Sequence, residues 1–256
     1  MELEGKVVVI TGGSGGIGRA MARAFMAEGA AGVMLADLDA ARVQAAADEL
    51  GCAGMACDVT RESEVQALVR HTENTLGPID LFCSNAGATG GEGVLTDADN
   101  SAWQSQWELH VMAHLYAARA VLPSMIERGA GYLLNTASAA GLLAALGSGP
   151  YSVSKAAAVK LAEFLAITHG DDGIKVSVLC PQGVNTAMAP RGLGDGQTDG
   201  IIEADALART VVLTLREERF YVLPHPEVEE YVRRKGDDID RWLGGMRRLR
   251  RKSLSR

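Results

Sequence analysis

The segment from Lys6 to Phe25 constrains the fold more than any other part of the chain. A continuous run of mostly β-branched residues, Lys6 to Ile10, enters a turn holding Gly12, Gly13, Gly15, Gly16 and Gly18. It leaves that turn on Ile17, Ala20, Met21, Ala24 and Phe25, apolar at helical spacing. Strand, glycine turn and helix in this order suit a dinucleotide: glycine permits the tight turn, close approach of backbone to a pyrophosphate, and close helix–strand packing. A phosphate there would meet the N-terminus of the helix. The run satisfies G-x-G-x-x-G through Gly13, Gly15 and Gly18, and T-G-x-x-x-G-x-G through Thr11, Gly12, Gly16 and Gly18. Gly12, Ser14, Gly16, Ile17 and Gly18 are therefore candidate cofactor contacts.

The alternation continues. Strands are predicted at Ala31 to Ala36, Cys52 to Cys57, Ile79 to Ser84, Tyr132 to Thr136 and Lys175 to Cys180. Helices are predicted between them, including a long one around Trp103 to Met125 and another from about Tyr151 to Thr168. This pattern predicts an α/β fold: a single-domain, Rossmann-like, doubly wound parallel sheet with helices on both faces. The catalytic domain is expected over 1–223, with 224–256 as a charged extension and no second core. Ala187 to Gly200, rich in glycine, reads as a flap over the ligand crevice.

Asp37 lies about twenty residues beyond the glycine turn, at the end of the second strand, where a carboxylate can accept hydrogen bonds from an adenosine ribose. A 2′-phosphate would meet negative charge there, and no Arg or Lys precedes Arg19 in the loop. NAD is thus expected over NADP. The bland alternative for Asp37 is a helix N-cap or turn residue.

Net charge −7 argues against nucleic acid as a partner of the body. Residues 241–256 hold seven basic residues and no acidic one, so the remainder carries −14. Trp242, Met246 and Leu249 recur at helical spacing among those arginines, which predicts a basic amphipathic helix packed on the acidic body or on a neighbouring subunit. Cys52, Cys57, Cys83 and Cys180 show no C-x-x-C spacing, and disulfides or a thiolate metal site are not expected. No signal-peptide pattern and no run of about twenty apolar residues occurs, which predicts a cytoplasmic chain without a membrane span.

Tyr151 and Lys155 stand four residues apart, on one face of a predicted helix. Such a pair is common; combined with the glycine turn and Ser138 it becomes a catalytic candidate. Here the chain resembles the classical short-chain dehydrogenase/reductase family over about residues 5–223. The matching segments are T-G-G-S-G-G-I-G at Thr11 to Gly18, C-D-V at Cys57 to Val59, S-N-A-G at Ser84 to Gly87, N-T-A-S at Asn135 to Ser138, Y-S-V-S-K at Tyr151 to Lys155 and P-Q-G-V-N-T at Pro181 to Thr186. The resemblance implies that Asp58 and Val59 contact adenine, that Asn85, Ala86 and Gly87 flank the cofactor, and that Val184 and Thr186 contact its nicotinamide side. Tyr151 would be the general acid/base, assisted by Lys155, with Ser138 orienting the substrate oxygen. A homotetramer or homodimer built on the helices around Trp103–Met125 and Tyr151–Thr168 is expected by the same analogy.

The family's helix asparagine, which supports a water and proton relay to the lysine, falls at His110. Imidazole can donate and accept hydrogen bonds, so His110 either substitutes in the relay, serves structurally, or marks a specialised site. His110 and His114 offer no third ligand, so a metal is not expected. His71, His169 and His225 lie in polar surroundings and read as solvated. In the resembled family the regions holding Ala139, Ala140, Leu142, Leu143, Leu146 and Met188 line the substrate pocket; these residues are small or apolar, so the resemblance implies a hydrophobic secondary alcohol or ketone as substrate. An NADPH-dependent reductase is the alternative enzyme; a cofactor-binding regulatory protein without efficient catalysis is the alternative outside enzymes.

Overall fold

The computed structural model describes residues 1–90, 97–187 and 199–254. Met188 and most of the flap predicted over Ala187 to Gly200 lie outside them.

Seven parallel strands form the central sheet: β1 (Val7–Thr11), β2 (Gly32–Asp37), β3 (Ala53–Ala56), β4 (Leu81–Ser84), β5 (Gly131–Thr136), β6 (Ile174–Leu179) and, after a two-stranded annex of β7 (Val184–Asn185) and β8 (Ile202–Glu203), β9 (Tyr221–Val222). Their order is β3-β2-β1-β4-β5-β6-β9, so the winding reverses between β1 and β4. A crevice opens at that reversal, outside the carboxyl ends of the strands. The buried pattern of β1 and β4 follows from this central position, where both sheet faces are covered.

Alternate residues of each strand feed opposite cores. Val9, Phe82 and Leu133 pack with α3 (Glu62–Thr75), α5 (Ala113–Glu127) and α7 (Gly149–His169) on one face. Val8, Ile10, Leu81, Cys83 and Leu134 pack with α1 (Gly16–Ala27), α2 (Ala40–Leu50) and α8 (Ala204–Glu217) on the other.

The predicted long helix around Trp103 to Met125 is interrupted. Helix α4 (Asn100–Trp107) passes through a π-helical turn, Glu108–Met112, before α5 begins. One extra residue per turn rotates the following side chains, and His110 occupies that turn. The short α6 (Ala139–Leu142) links β5 to α7. Beyond β9 come α9 (Glu227–Asp237) and α10 (Ile239–Leu254), which pack on each other, with Tyr231 and Trp242 ring centroids 6.4 Å apart. The basic segment is thus helical, and α9 is its principal neighbour. No helix among the described residues is long and apolar enough to cross a membrane. The four cysteines are free thiols, and no metal-holding cluster occurs among the described residues.

Candidate active site

The glycine turn is built from close approaches. Gly12 has φ +63°, and a Cβ on it would stand 2.9 Å from the Ala86 Cα. A Cβ on Gly16 would stand 2.6 Å from Thr186 Cγ2, so β7 and its exit close over the loop. Helix α1 has Gly15 at its N-cap and no side-chain cap. Its first backbone N–H groups therefore have no protein acceptor from a cap and face the crevice mouth, which fits a pyrophosphate.

Asp37 lies beside this loop as expected. Its Oδ2 accepts from Ser14 N at 3.1 Å and Ser14 Oγ at 2.7 Å, and its Oδ1 from Leu38 N at 2.9 Å. A carboxylate offers about four acceptor sites, so capacity remains for a ribose hydroxyl. Asn85 stitches three strand ends together: its Nδ2 donates to Thr11 O, its backbone N–H donates to Thr11 Oγ1, and its Oδ1 accepts from Thr136 Oγ1. Gly87 lies next, with a hypothetical Cβ at 3.4 Å from His110 Nε2 and 3.5 Å from Lys155 Nζ. Asp58 spends its Oδ1 on Thr60 N and Thr60 Oγ1, bracing the turn into α3. Burial raises that carboxyl, but the Thr60 bonds and the Arg61 charge hold it below the usual range. Val59 is buried beneath it, and Val184 is buried against the α1 and α8 core.

Tyr151 is fixed by the start of α7. Ser148 caps this helix, accepting from Tyr151 N at 3.4 Å, and Pro150 occupies the first turn where its missing N–H costs nothing. Ser138 caps α6, accepting from Ala140 N at 3.1 Å, and donates to Pro181 O at 3.4 Å. Burial pushes the Tyr151 phenol up, and the neighbouring Ser138 hydroxyl pulls partly back. Lys155, 3% exposed, donates to the Thr136 carbonyl at 2.9 Å, and its Nζ lies 5.8 Å from the Tyr151 ring centroid. Burial brings its ammonium down to about 7. Over the Tyr151 ring, the ammonium pairs with no carboxylate among the described residues, so its charge is available to an ionised Tyr151.

His110 is fully buried. Ala88 N–H donates to its Nε2 at 3.4 Å, which makes Nε2 the acceptor and leaves the ring proton on Nδ1. Nδ1–H then donates to Ser154 Oγ at 3.0 Å, and Ser154 Oγ–H donates to Tyr151 O at 3.1 Å. The ring stands edge-on to Tyr151, centroids 5.5 Å apart. Burial, then the Lys155 and His114 charges, hold its conjugate acid down at about 2. His110 is a neutral strut between the loop after β4 and the first turns of α7, with both ring nitrogens engaged by protein.

Ser138, Tyr151, Lys155 and His110 converge at the crevice, and the glycine turn, Asp37 and Asn85 to Gly87 line the same strand ends. The family model for short chain dehydrogenases matches residues 6–193. The chain belongs to the short-chain dehydrogenase/reductase family. It is an oxidoreductase by that membership. It is 34% identical over 251 residues to a 1-deoxy-11-beta-hydroxypentalenate dehydrogenase of Streptomyces exfoliatus, covering 93% of this chain and 90% of that protein. It is 34% identical over 213 residues to a 2-(S)-hydroxypropyl-CoM dehydrogenase 3 of Xanthobacter autotrophicus, covering 81% and 82%. A short-chain dehydrogenase/reductase from Burkholderia phymatum, solved in complex with NAD, superposes with TM-score 0.85 at 30% identity over 94% of this chain and 96% of that one.

Three features of this member of the short-chain dehydrogenase/reductase family differ from, or are missing in, what its sequence predicts. His225 was expected at the solvated surface; it is 2% exposed, its Nδ1 accepting from Gln182 N at 3.3 Å. Its polar surroundings in sequence point to solvent, while the contact that buries it comes from the strand-end segment after β6. The Thr136 carbonyl that holds Lys155, and Ser154 behind Tyr151, were not singled out. Ser154 had a signal, its place inside the Tyr-x-x-x-Lys segment; a backbone carbonyl has none.

Proposed function

We propose that the chain transfers hydride between NAD(H) and a hydrophobic secondary alcohol or ketone, with Tyr151 as general acid/base. The observation that carries this reading is the buried Lys155 ammonium, tied to Thr136 O and lying over the ring of a Tyr151 phenol that also neighbours Ser138. A free phenol ionises near pH 10 and is a poor base at neutrality. Lys155 stabilises the phenolate, and Ser138 donates to the substrate oxygen. In the oxidising direction Tyr151 takes the hydroxyl proton as hydride leaves the carbinol carbon; in the reverse direction it returns that proton to the carbonyl oxygen.

The bound nicotinamide would supply the hydride exchange. Gly12, Ser14, Gly16, Ile17 and Gly18 would hold its pyrophosphate, Asp37 the adenosine ribose, Asp58 and Val59 the adenine, and Val184 and Thr186 the nicotinamide side. The negative charge of Asp37 beside the loop favours NAD over NADP. His110 acts as a positioning residue, since neither nitrogen is open to a relay water. The free thiols and the absence of a spanning helix among the described residues support a cytoplasmic location.

The test is a screen of alcohols and ketones with NAD(H) and NADP(H), run on wild type and Tyr151→Phe. Turnover should fall at least about 100-fold in the variant while NADH still binds by fluorescence titration. Retained turnover in Tyr151→Phe would remove the central claim, and tighter binding of NADPH than NADH would reassign the cofactor.

A further inference from the structure

A cleft of about 810 Å³ opens between the active-site loops and the C-terminal helices. Its inner wall is Leu143 and Ala144, which follow α6 and its Ser138 cap, together with Gln182, which follows the Pro181 carbonyl that accepts from Ser138. Its outer wall is α9 and α10, presenting Tyr231, Trp242 and Met246. Helix α9 is tied to the inner wall: Lys235 Nζ donates to Leu142 O at 2.5 Å, and Tyr231 Oη and Gln182 Nε2 both donate to the Asp199 carboxylate, at 2.9 and 2.8 Å. The space exceeds what a small alcohol fills, and its inner wall lies a few residues along the chain from Ser138.

Four arginines line this cleft, and they divide into two pairs. Arg233 bonds Glu230 at 2.7 Å and Asp237 at 3.2 Å, and Arg234 bonds Glu230 at 2.7 Å, so both are neutralised on α9 itself. Arg241 and Arg248 line the same space, and no ion pair among the described residues holds either guanidinium. The Asp238 carboxylate lines the cleft too, and it accepts from the Arg241 backbone N–H at 2.9 Å, capping α10. The two guanidinia thus outnumber the one cleft carboxylate not engaged by Arg233 or Arg234, that of Asp238, and they stand beside the aromatic wall of Tyr231 and Trp242. Such a placement attracts an anion by its field and can hold it by charge-assisted hydrogen bonds. Asp37 and the glycine turn lie at the other side of the crevice, so the cofactor phosphates are not the anions in question.

We infer that Arg241 and Arg248 form an anion subsite, and that the substrate is an apolar alcohol or ketone carrying a carboxylate, sulfonate or phosphate at the end remote from the reacting oxygen. This rests on the proposed hydride-transfer reading for the word substrate, while the subsite itself is a matter of binding. α10 then belongs to the enzyme's specificity apparatus, and the basic charge of the tail has a use at the site.

The test is calorimetry on the full-length protein with octanoate, octylsulfonate, octyl phosphate and, as the uncharged reference, 1-octanol. At least one of the three anions should bind about tenfold tighter than octanol, and the identity of the tightest assigns the end group. Arg241→Gln/Arg248→Gln should remove that advantage, Arg241→Lys/Arg248→Lys should restore part of it, and Arg247→Gln, on the same helix but outside the cleft, should leave it. Unchanged melting temperatures exclude misfolding. Equal binding of the anions and octanol by wild type, undiminished anion binding by the glutamine pair, or an equal loss in Arg247→Gln would each overturn the subsite. Because the readout is binding, absence of ketone turnover would sink the hydride-transfer reading while leaving this one standing, and the reverse holds too.

Discussion

His110 combines three contacts that a single change would break together: Ala88 N–H, Ser154 Oγ and the edge-on face of Tyr151. A neutral imidazole in this place acts through geometry, holding the loop after β4 against the turn that aims Tyr151. Misplacement of a catalytic group by fractions of an ångström costs rate without changing what titrates. His110→Asn should therefore lower kcat about tenfold, leave NADH affinity unaltered, and leave the acid limb of the pH–rate profile where wild type has it. A shifted acid limb would return His110 to the proton path. Stability gives a second readout. The folded-state pKa near 2 lies below the ordinary histidine value, so the unfolded chain binds more protons between them. The contribution of neutral His110 is complete above about pH 6.5 and drains away as pH falls toward 2. Denaturant titrations at pH 6.5 and pH 4 should show wild type losing about 3 kcal/mol more than His110→Asn over that interval.

Elements place these residues, and the turn between β1 and α1 is the one least tolerant of change. Gly12 needs φ +63° and has the Ala86 backbone at 2.9 Å from where a Cβ would go, so both conformation and space require glycine. Gly12→Ala should destabilise the fold by roughly 1–3 kcal/mol and weaken NADH binding at least tenfold, read by thermal melts and fluorescence titration. Wild-type NADH affinity in that variant would mean that the turn does not approach the cofactor closely. This turn was legible in the sequence because only glycine fits it, and the parallel sheet was legible because buried strands separated by helices leave a continuous apolar signature. The Tyr151–Lys155 spacing projects directly onto one face of α7. The π-helical turn at Glu108–Met112 was not legible, since it accompanies tethers from His110 to Ala88 and Ser154, 22 and 44 residues away. The same holds for His225, buried by a contact with Gln182, 43 residues away. Tertiary partners decide these features, and local pattern carries no trace of them.

At the scale of the whole molecule, α7 serves two surfaces. Its first turns carry Tyr151 and Lys155 into the crevice, while Val153, Phe164 and Ile167 lie on its outer side at helical spacing, Phe164 64% and Ile167 74% exposed. Trp107, 41% exposed, adds apolar area from the C-terminal end of α4, near the start of the helix predicted over Trp103 to Met125. Large exposed apolar side chains gathered on one helix face mark an association surface more often than a solvated one. We propose that this face is the interface of a homodimer or homotetramer, and that assembly stiffens the helix whose N-terminal turn aims Tyr151. A symmetric contact would set the same α7 face of two protomers against each other, and an added carboxylate at its centre would place like charges together. Phe164→Glu/Ile167→Glu should shift sedimentation from the assembled species to monomer, lower the melting temperature, and reduce turnover per chain in proportion to the monomer fraction. NADH binding should persist, because the glycine turn lies across the sheet from this face. A wild type that sediments as a monomer at micromolar concentration, or a double variant that stays assembled, would assign this apolar face no role in association.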